Sequence, residues 1–212
     1  MTNVQKVGLF GGSFDPIHVG HVEIAQAAIK DIQLDILVVM PAGKAPHKNG
    51  ALFSDKLRLK MTKAAIKELK DDRIVVSDWE VKQAQVMGKT SFTVDTMRYL
   101  QKKYPGAELY LILGTDMFNT FSTWKDPEII AANMKLVLVN RQGEKLYRKK
   151  TKKISGITKI YKPDITISSL PPAVSSTEIR SRLASGESVD GLVPSGALRV
   201  LKKASFDVNL TK

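Results

Sequence analysis

Two of the chain's three histidines lie in one short stretch near its start, VGLFGGSFDPIHVGH at residues 7–21. Gly11 and Gly12 follow an apolar run that predicts a strand, and glycines at a strand end let backbone amides approach a ligand closely. His18 and His21 stand three residues apart, which places them on one side of a helix's first turn. Because the amides of a helix start attract anions, two imidazoles added there favour a phosphate site.

Two other interpretations of this stretch stay open at the level of sequence. The histidines could simply cap and pack at a helix start, since histidine is common at partly buried positions. Alternatively, His18 and His21 could bind zinc or iron together with Asp15, although the sequence offers no compact set of further ligands.

A second group of hydroxyl and cationic side chains lies near the C-terminus, in VSSTEIRSRL at residues 174–183. Ser175, Ser176 and Thr177 stand at a predicted helix start, and Arg180 follows Thr177 by three residues on the same face. An ordinary helix cap would look similar, because a first-turn carboxylate follows the hydroxyls. Paired with the first stretch, this segment is suited to the opposite side of a triphosphate.

Alternating β-rich and amphipathic segments must position these residues. Strands are predicted at Val4–Phe10, Asp35–Met40, Arg73–Ser77, Glu108–Gly114, Lys135–Val139 and Thr158–Ile167. Helices are predicted at Val19–Lys30, Ser54–Glu68, Ser91–Lys103, Asp126–Asn133, Ser176–Ser185 and Ser195–Lys203. The apolar runs ILVVM and LYLIL favour strands covered by helices on both faces. The pattern predicts one domain over residues 1–212, a doubly wound α/β fold with a mostly parallel sheet and a ligand beyond its carboxyl ends.

Composition limits the class of protein. At 212 residues, with 43% hydrophobic and 25% charged residues, the chain has the balance of a globular protein. It has no cysteine, which excludes disulfides, thiolate metal sites and cysteine nucleophiles and is typical of a reducing compartment. The first residues show no charged-then-apolar leader, and no apolar run reaches the ~20 residues of a membrane helix, so we expect a soluble cytoplasmic protein.

The formal net charge of +12 attracts anions of any kind, from nucleic acids to phosphorylated small molecules. A dense part of it is KLYRKKTKK, Lys145–Lys153. We interpret this segment as a solvated loop, since a block of like charges usually is one. RNA binding is the alternative, but single strands normally stack on several rings, and this segment has only Tyr147.

The two motifs together, GGSFDPIHVGH and the distant SSTEIR, resemble the nucleotidyltransferase superfamily with the HxGH signature, whose sheet is Rossmann-like. The resemblance implies catalytic roles for His18, His21 and Arg180, which would bind ATP phosphates and the transition state. It also implies that the C-terminal helices, about 176–205, complete the ATP site. The further ATP-binding residues it implies are Gly11, Gly12, Ser13, Phe14, Gly114, Asp116, Ser176 and Thr177.

Four stretches between the motifs are similar to bacterial nicotinate-nucleotide adenylyltransferases: PAGKAPHK at 41–48, TSFTVDT at 90–96, LGTD at 113–116 and FSTWKDPEII at 121–130. The resemblance implies a mononucleotide site made by Ser13, Lys44, Lys48, Ser91, Thr93, Trp124 and Arg141. A solvated loop, a helix cap and a core aromatic are the plainer interpretations of these stretches. The chain departs from the family's usual residues at Ala45, Phe92 and Gln142, none of which is a phosphate ligand.

The activity implied is transfer of AMP from ATP to nicotinate mononucleotide, giving nicotinate adenine dinucleotide and pyrophosphate for NAD biosynthesis. Mg²⁺ would arrive with ATP, with no metal site in the protein itself. ATP and nicotinate mononucleotide are the expected partners, without membrane or nucleic acid, and a homo-oligomer stays open. A phosphopantetheine adenylyltransferase-like enzyme of the same superfamily and a non-catalytic basic RNA- or nucleotide-binding protein are the alternatives.

Overall fold

The computed structural model of the chain describes residues 4–44, 51–141, 153–154, 157–158, 161–169 and 174–209. Its strands are β1 (Lys6–Gly12), β2 (Ile36–Pro41), β3 (Ile74–Val76), β4 (Glu108–Gly114), β5 (Lys135–Arg141), β6 (Lys153–Ile154), β7 (Ile157–Thr158) and β8 (Ile165–Ser169). Its helices are α1 (Val19–Ile32), α2 (Asp55–Lys67), α3 (Trp79–Met87), α4 (Thr93–Lys103), α5 (Thr115–Thr120), α6 (Pro127–Asn133), α7 (Ser176–Ala184) and α8 (Ser195–Asn209), with a 3-10 turn at Phe121–Thr123.

A six-stranded sheet forms the centre of the fold, in the order β3-β2-β1-β4-β5-β8. Each neighbouring pair in it is parallel, while β6 and β7 form a separate antiparallel pair. The strand order reverses between β1 and β4, and ligands of such sheets bind in the crevice at that reversal. The predicted doubly wound parallel sheet is confirmed.

Buried apolar side chains cover both faces of the sheet. Leu9 and Leu111 belong to one core cluster, whereas their neighbours Phe10 and Ile112 belong to the other. Successive side chains of a strand point to opposite faces, so each central strand contributes to both clusters. This explains why these strands are continuously apolar in the sequence.

The two C-terminal helices pack onto the same side of the sheet as α1 and α2. Ile179 of α7 and Ala197 and Leu201 of α8 are buried in the cluster that contains Phe10. Gly196 lets α8 approach α2 closely, because a Cβ atom there would lie 2.8 Å from the carbonyl oxygen of Ala64. The core therefore holds the SSTEIR segment in a defined place.

Two helices were not predicted from the sequence. In α3 only Glu80 and Val81 are buried, so the segment lacks the apolar stripe that marks an amphipathic helix. The short helix α5 follows β4 directly, so no turn residues separate the two elements and indicate a helix start in the sequence. Among the described residues, none of the helices has the length and apolar character needed to cross a bilayer.

The predicted strand Thr158–Ile167 is wrong in its bounds. The chain forms β7 at Ile157–Thr158 and β8 at Ile165–Ser169, with a bend at Asp164. The Asp164 carboxylate accepts a hydrogen bond from the Leu136 N–H at 2.7 Å. This bond ties the start of β8 to β5. The strand β8 therefore begins where it pairs with β5, and not where residues of high β propensity begin in the sequence. The basic segment at 145–152 lies outside the described residues.

Candidate functional site

Gly11 and Gly12 end β1 beside the crevice, as predicted, and Ser13 follows them half-buried. Phe14 then adopts a positive φ of 45°. Its ring is only 2% exposed and packs edge to face on His21, with ring centroids 5.0 Å apart. Phe14 therefore supports the His21 ring by packing against it.

The two histidines form one stacked pair at the start of α1. His18 is the N-cap of the helix, and the two ring centroids are 3.6 Å apart. The His18 backbone N–H donates to His21 Nδ1 at 3.2 Å. The neutral His21 ring must then have its proton on Nε2, so this nitrogen is a donor whether the ring is neutral or charged. A donor in either state suits a phosphate oxygen.

Asp15 is engaged within the protein. It is 6% exposed, and its carboxylate accepts hydrogen bonds from the N–H groups of Leu52 at 2.9 Å and Phe53 at 3.0 Å. Both oxygens thus anchor the chain that leads into α2. Within the described part of the chain, no group of three or more His, Cys, Asp or Glu side chains is arranged to hold a metal ion.

The two distant motifs meet at this point. The Ser176 hydroxyl donates to the Pro16 carbonyl at 3.0 Å. Arg180 donates from Nη1 to the Asp15 carbonyl at 2.8 Å and from Nη2 to Thr177 Oγ1 at 3.1 Å. The structure therefore brings the histidines and the Ser, Thr and Arg of α7 to one side of the crevice.

The helix-cap interpretation of SSTEIR is also confirmed, with Ser175 as the cap. Ser175 is the N-cap of α7, and its hydroxyl accepts from the Glu178 N–H at 3.1 Å. This leaves Ser176 and Thr177 in the first turn of the helix. Capping by one serine therefore frees the next two hydroxyl residues to face other partners.

On the other side of the crevice, Gly114 ends β4 and is the N-cap of α5. Asp116 stands exposed in the first turn of that helix. Since β4 pairs with β1 in the sheet, these two predicted ATP-binding residues lie next to the turn at residues 11–13.

Lys44 and Ser91, both predicted for the mononucleotide, lie beyond the end of β2, the strand next to β1. Lys44 is exposed and forms an isolated parallel bridge with Thr90. The Ser91 N–H donates to the Lys44 carbonyl at 2.8 Å, and the Ser91 hydroxyl accepts from the Gly43 N–H at 3.1 Å. The loops after β2 and before α4 are thus joined. Lys48 lies outside the described residues.

The Trp124 segment reaches the same loops. Thr93 is the first residue of α4, and Lys125 Nζ lies 4.6 Å from the centroid of the preceding Phe92 ring. Trp124 is half-buried, and its ring centroid lies 5.4 Å from that of Phe121. Part of this side chain therefore packs as a core aromatic, and the rest is exposed. Arg141 ends β5 at the same edge of the sheet.

Sequence reasoning missed two buried charged residues beneath these loops, Arg58 and Glu80. Arg58 is 2% exposed, and Nη2 of its guanidinium donates to the Ala42 carbonyl at 2.7 Å and forms an ion pair with Asp55 at 2.7 Å. The sequence did contain an indication that Arg58 is buried. It lies three residues before Met61, on a face of the predicted helix that is otherwise apolar.

Glu80 of α3 lies under the start of α4. Its Oε1 accepts from the Thr96 hydroxyl at 2.6 Å. Burial raises the pKa of this carboxyl above its ordinary value, and hydrogen bonds from Thr96 and Ser91 oppose the shift only in part. The Glu80 carboxyl thus links α3 to the helix that begins at Thr93.

The parallel six-stranded sheet with its helices is an α/β nucleotidyltransferase fold, and imidazole, hydroxyl and guanidinium groups lie at its strand reversal. The model of the cytidylyltransferase-like family matches residues 9–182. Among similar proteins is a probable nicotinate-nucleotide adenylyltransferase of Clostridium tetani, 35% identical over 94% of this chain and 98% of its own. Another, from Neisseria meningitidis, is 36% identical over 96% of this chain and 100% of its own.

Solved structures agree on the fold. The nicotinic acid mononucleotide adenylyltransferase of Plasmodium falciparum in complex with NaAD superimposes with a TM-score of 0.69 at 16% identity, covering 94% of this chain and 96% of that one. The chain therefore belongs to the cytidylyltransferase-like family and, within it, to the nicotinate-nucleotide adenylyltransferases.

Proposed function

We propose that this protein transfers the adenylyl group of ATP to nicotinate mononucleotide, forming nicotinate adenine dinucleotide and pyrophosphate in NAD biosynthesis. The observation that supports it most is the junction of the two motifs, where Arg180 donates to the Asp15 carbonyl at 2.8 Å. The acceptor is supported by the names of the similar proteins and by the NaAD bound in the Plasmodium falciparum structure.

The chemistry asks for alignment and charge stabilisation. An oxygen of the mononucleotide 5'-phosphate attacks the α-phosphorus of ATP, and the bond from that phosphorus to the β-phosphate oxygen breaks, so pyrophosphate leaves. The attacking phosphate is already ionised and needs no general base. His18, His21 and Arg180 act as donors to the phosphate oxygens on which charge develops, and the helix start of α1 adds its partial positive charge.

The substrate is ATP with its Mg²⁺ ion. The Asp15 carboxylate is occupied by two backbone N–H groups, and the other side chains of the site are imidazole, guanidinium and hydroxyl groups. These groups suit phosphate oxygens and leave the ion to be held by the triphosphate itself. When bound with ATP, the ion would neutralise phosphate charge, and the protein's residues supply orientation.

Nicotinate mononucleotide lies against the loops that contain Lys44 and Ser91, with Lys48 and Arg141 as further cationic contacts. Lys44 is exposed and free to reach a phosphate. The start of α4 at Thr93 offers amides to a carboxylate, and Trp124 stacks on the pyridine ring. We expect the reaction to take place in the cytoplasm.

Release of pyrophosphate from MgATP tests the proposal, with nicotinate mononucleotide, nicotinamide mononucleotide and phosphopantetheine offered separately. The expected result is turnover that is fastest with nicotinate mononucleotide, with nicotinate adenine dinucleotide identified by mass spectrometry. Turnover with phosphopantetheine alone would identify the other branch of the superfamily. Salt-dependent RNA binding without turnover of any nucleotide would instead support the non-catalytic alternative.

A further inference from the structure

Arg58 is a buried arginine whose hydrogen bonds reach two different loops. Its Nη1 donates to the carbonyl of Ser13, in the loop after β1. Its Nη2 donates to the carbonyls of Ala42 at 2.7 Å and Gly43 at 3.3 Å, in the loop after β2. One planar guanidinium therefore joins the ends of two adjacent strands.

Packing alone does not explain an arginine at this position. On the same face of α2, Met61 and Ala65 are apolar and fully buried. Placing a guanidinium among them requires desolvation of a full charge, which is compensated by the Asp55 carboxylate at 2.7 Å and by the loop carbonyls. We conclude that the arginine is present for the geometry of its hydrogen-bond donors rather than for the volume of its side chain.

The two loops belong to the two halves of the site. The Ser13 loop leads into His18 and His21, on the ATP side. The Gly43 loop continues to Lys44 and is bonded to Ser91, whose hydroxyl accepts the Gly43 N–H at 3.1 Å, on the acceptor side. Arg58 thus bridges the segments that hold the two reacting molecules.

We propose that Arg58 is a positioning residue that sets the distance between the ATP-side loop and the acceptor-side loop. Its rigid fork of donors holds both sets of carbonyls at once, which a lysine ammonium on a flexible stem does not. In-line transfer tolerates little error, since a displacement of about 1 Å can cost roughly 10²-fold in rate. This inference rests on the proposed function.

The test compares Arg58→Lys and Arg58→Met with the control Thr62→Val. Thr62 is fully buried one turn later on α2, and its hydroxyl donates to the Arg58 carbonyl at 2.8 Å, so this variant perturbs the same helix without touching either loop. Measured quantities are kcat and both KM values below each melting temperature, plus calorimetric binding of each substrate alone, with a non-hydrolysable analogue for ATP.

For Arg58→Lys we expect kcat to fall about 10- to 100-fold while binding of each separate substrate changes less than about threefold. For Thr62→Val we expect a lower melting temperature than that of the wild type and an unchanged kcat. Arg58→Lys with kcat near wild type, or with a loss equal to that of an equally destabilised Thr62→Val, would overturn the inference. If Arg58→Met does not fold, Arg58→Lys decides alone. A wild-type protein inactive with every acceptor would instead contradict the proposed function, and this inference with it.

Discussion

His18 and His21 share a stacked pair of rings, yet they differ in what each presents to a ligand. His18 is 2% exposed, and its backbone N–H orients the His21 ring through Nδ1. His21 is half-buried and has Nε2 as its donor. The pair therefore combines a deeply buried imidazole with a more accessible one, and in the proposed mechanism both act as donors to the charge that develops during transfer.

Replacing His18 by alanine tests this arrangement. We expect kcat to fall by about 10²–10³-fold, the loss typical for one donor to a developing charge, while KM for ATP changes less. Steady-state kinetics at matched folded fraction give both values. The control is Asp31→Ala, an exposed position near the far end of α1. Near-normal turnover of His18→Ala would show that this histidine has no role in the transition state.

Arg180 contributes geometry as well as charge. Its two terminal nitrogens bond separately to the Asp15 carbonyl and to Thr177 Oγ1, whereas a lysine offers a single nitrogen on a flexible stem without this fixed fork. We expect Arg180→Lys to lower kcat/KM for ATP by at least about tenfold. Arg182→Lys is the matched control, since Arg182 lies on the same helix and pairs with Glu178 at 2.9 Å. Equal kinetics for both variants would contradict the role of Arg180.

At the scale of elements, the ATP side depends on how α7 and α8 are held. Ser176 bonds to Pro16, and the Val19 N–H donates to the Leu192 carbonyl at 3.0 Å. The residues that lead into α1 are thus contacted by α7, and the first residue of α1 by the segment that precedes α8. Since α8 packs on α2, displacement of α8 would be transmitted to the site.

Gly196→Ala tests the packing of α8 on α2. The new Cβ would lie 2.8 Å from the Ala64 carbonyl oxygen, and overpacking of this kind costs about 1–3 kcal/mol. That exceeds the roughly 0.5–1 kcal/mol that alanine gains over glycine in a helix. We expect a net loss of about 1–2 kcal/mol in the free energy of unfolding, measured by urea denaturation. Lys203→Ala, at an exposed position of α8, should change it by less than about 0.5 kcal/mol.

At the scale of the whole molecule, a buried carboxyl makes stability depend on pH. Burial raises the pKa of Glu80 above its ordinary value of 4.5, and bonds from Thr96 and Ser91 oppose this only partly. As pH rises from 4.5, the unfolded chain loses this proton before the folded protein does. The free energy of unfolding therefore falls until the folded pKa is passed and is level above it.

Glu80→Gln removes this ionisation and keeps an oxygen that can accept from Thr96. We expect the free energy of unfolding of the variant, relative to wild type, to increase as pH rises from about 4.5 and then to become constant. Urea denaturation at a series of pH values measures the difference. Glu187→Gln, an exposed carboxylate near the end of α7, should parallel wild type. A pH-independent difference for Glu80→Gln would show that the carboxyl is not penalised by burial.

The sequence by itself determined the order of the sheet's strands and of most helices, with α3, α5 and the β6–β7 pair as the exceptions, because apolar runs, helical periodicity and caps act over a few residues. Ser54 was predicted to begin α2, and its hydroxyl accepts from the Leu57 N–H at 3.4 Å. The GGSFDPIHVGH and SSTEIR motifs were recognisable in the same way, since their residue types and spacing are local properties.

Only the tertiary structure decided how these pieces meet. Arg180 and Asp15 are 165 residues apart in the chain and bond directly, a contact set by the packing of α7 against the core. The role of Arg58 could not be predicted from a motif. Its loop partners are backbone carbonyls, which every residue has, so the sequence does not indicate which of them it binds. Glu80 was missed because α3 lacks an apolar stripe, and its burial follows from neighbouring elements. The motifs depend on residue types and spacing within short segments, whereas their meeting in one site depends on the packing of distant segments.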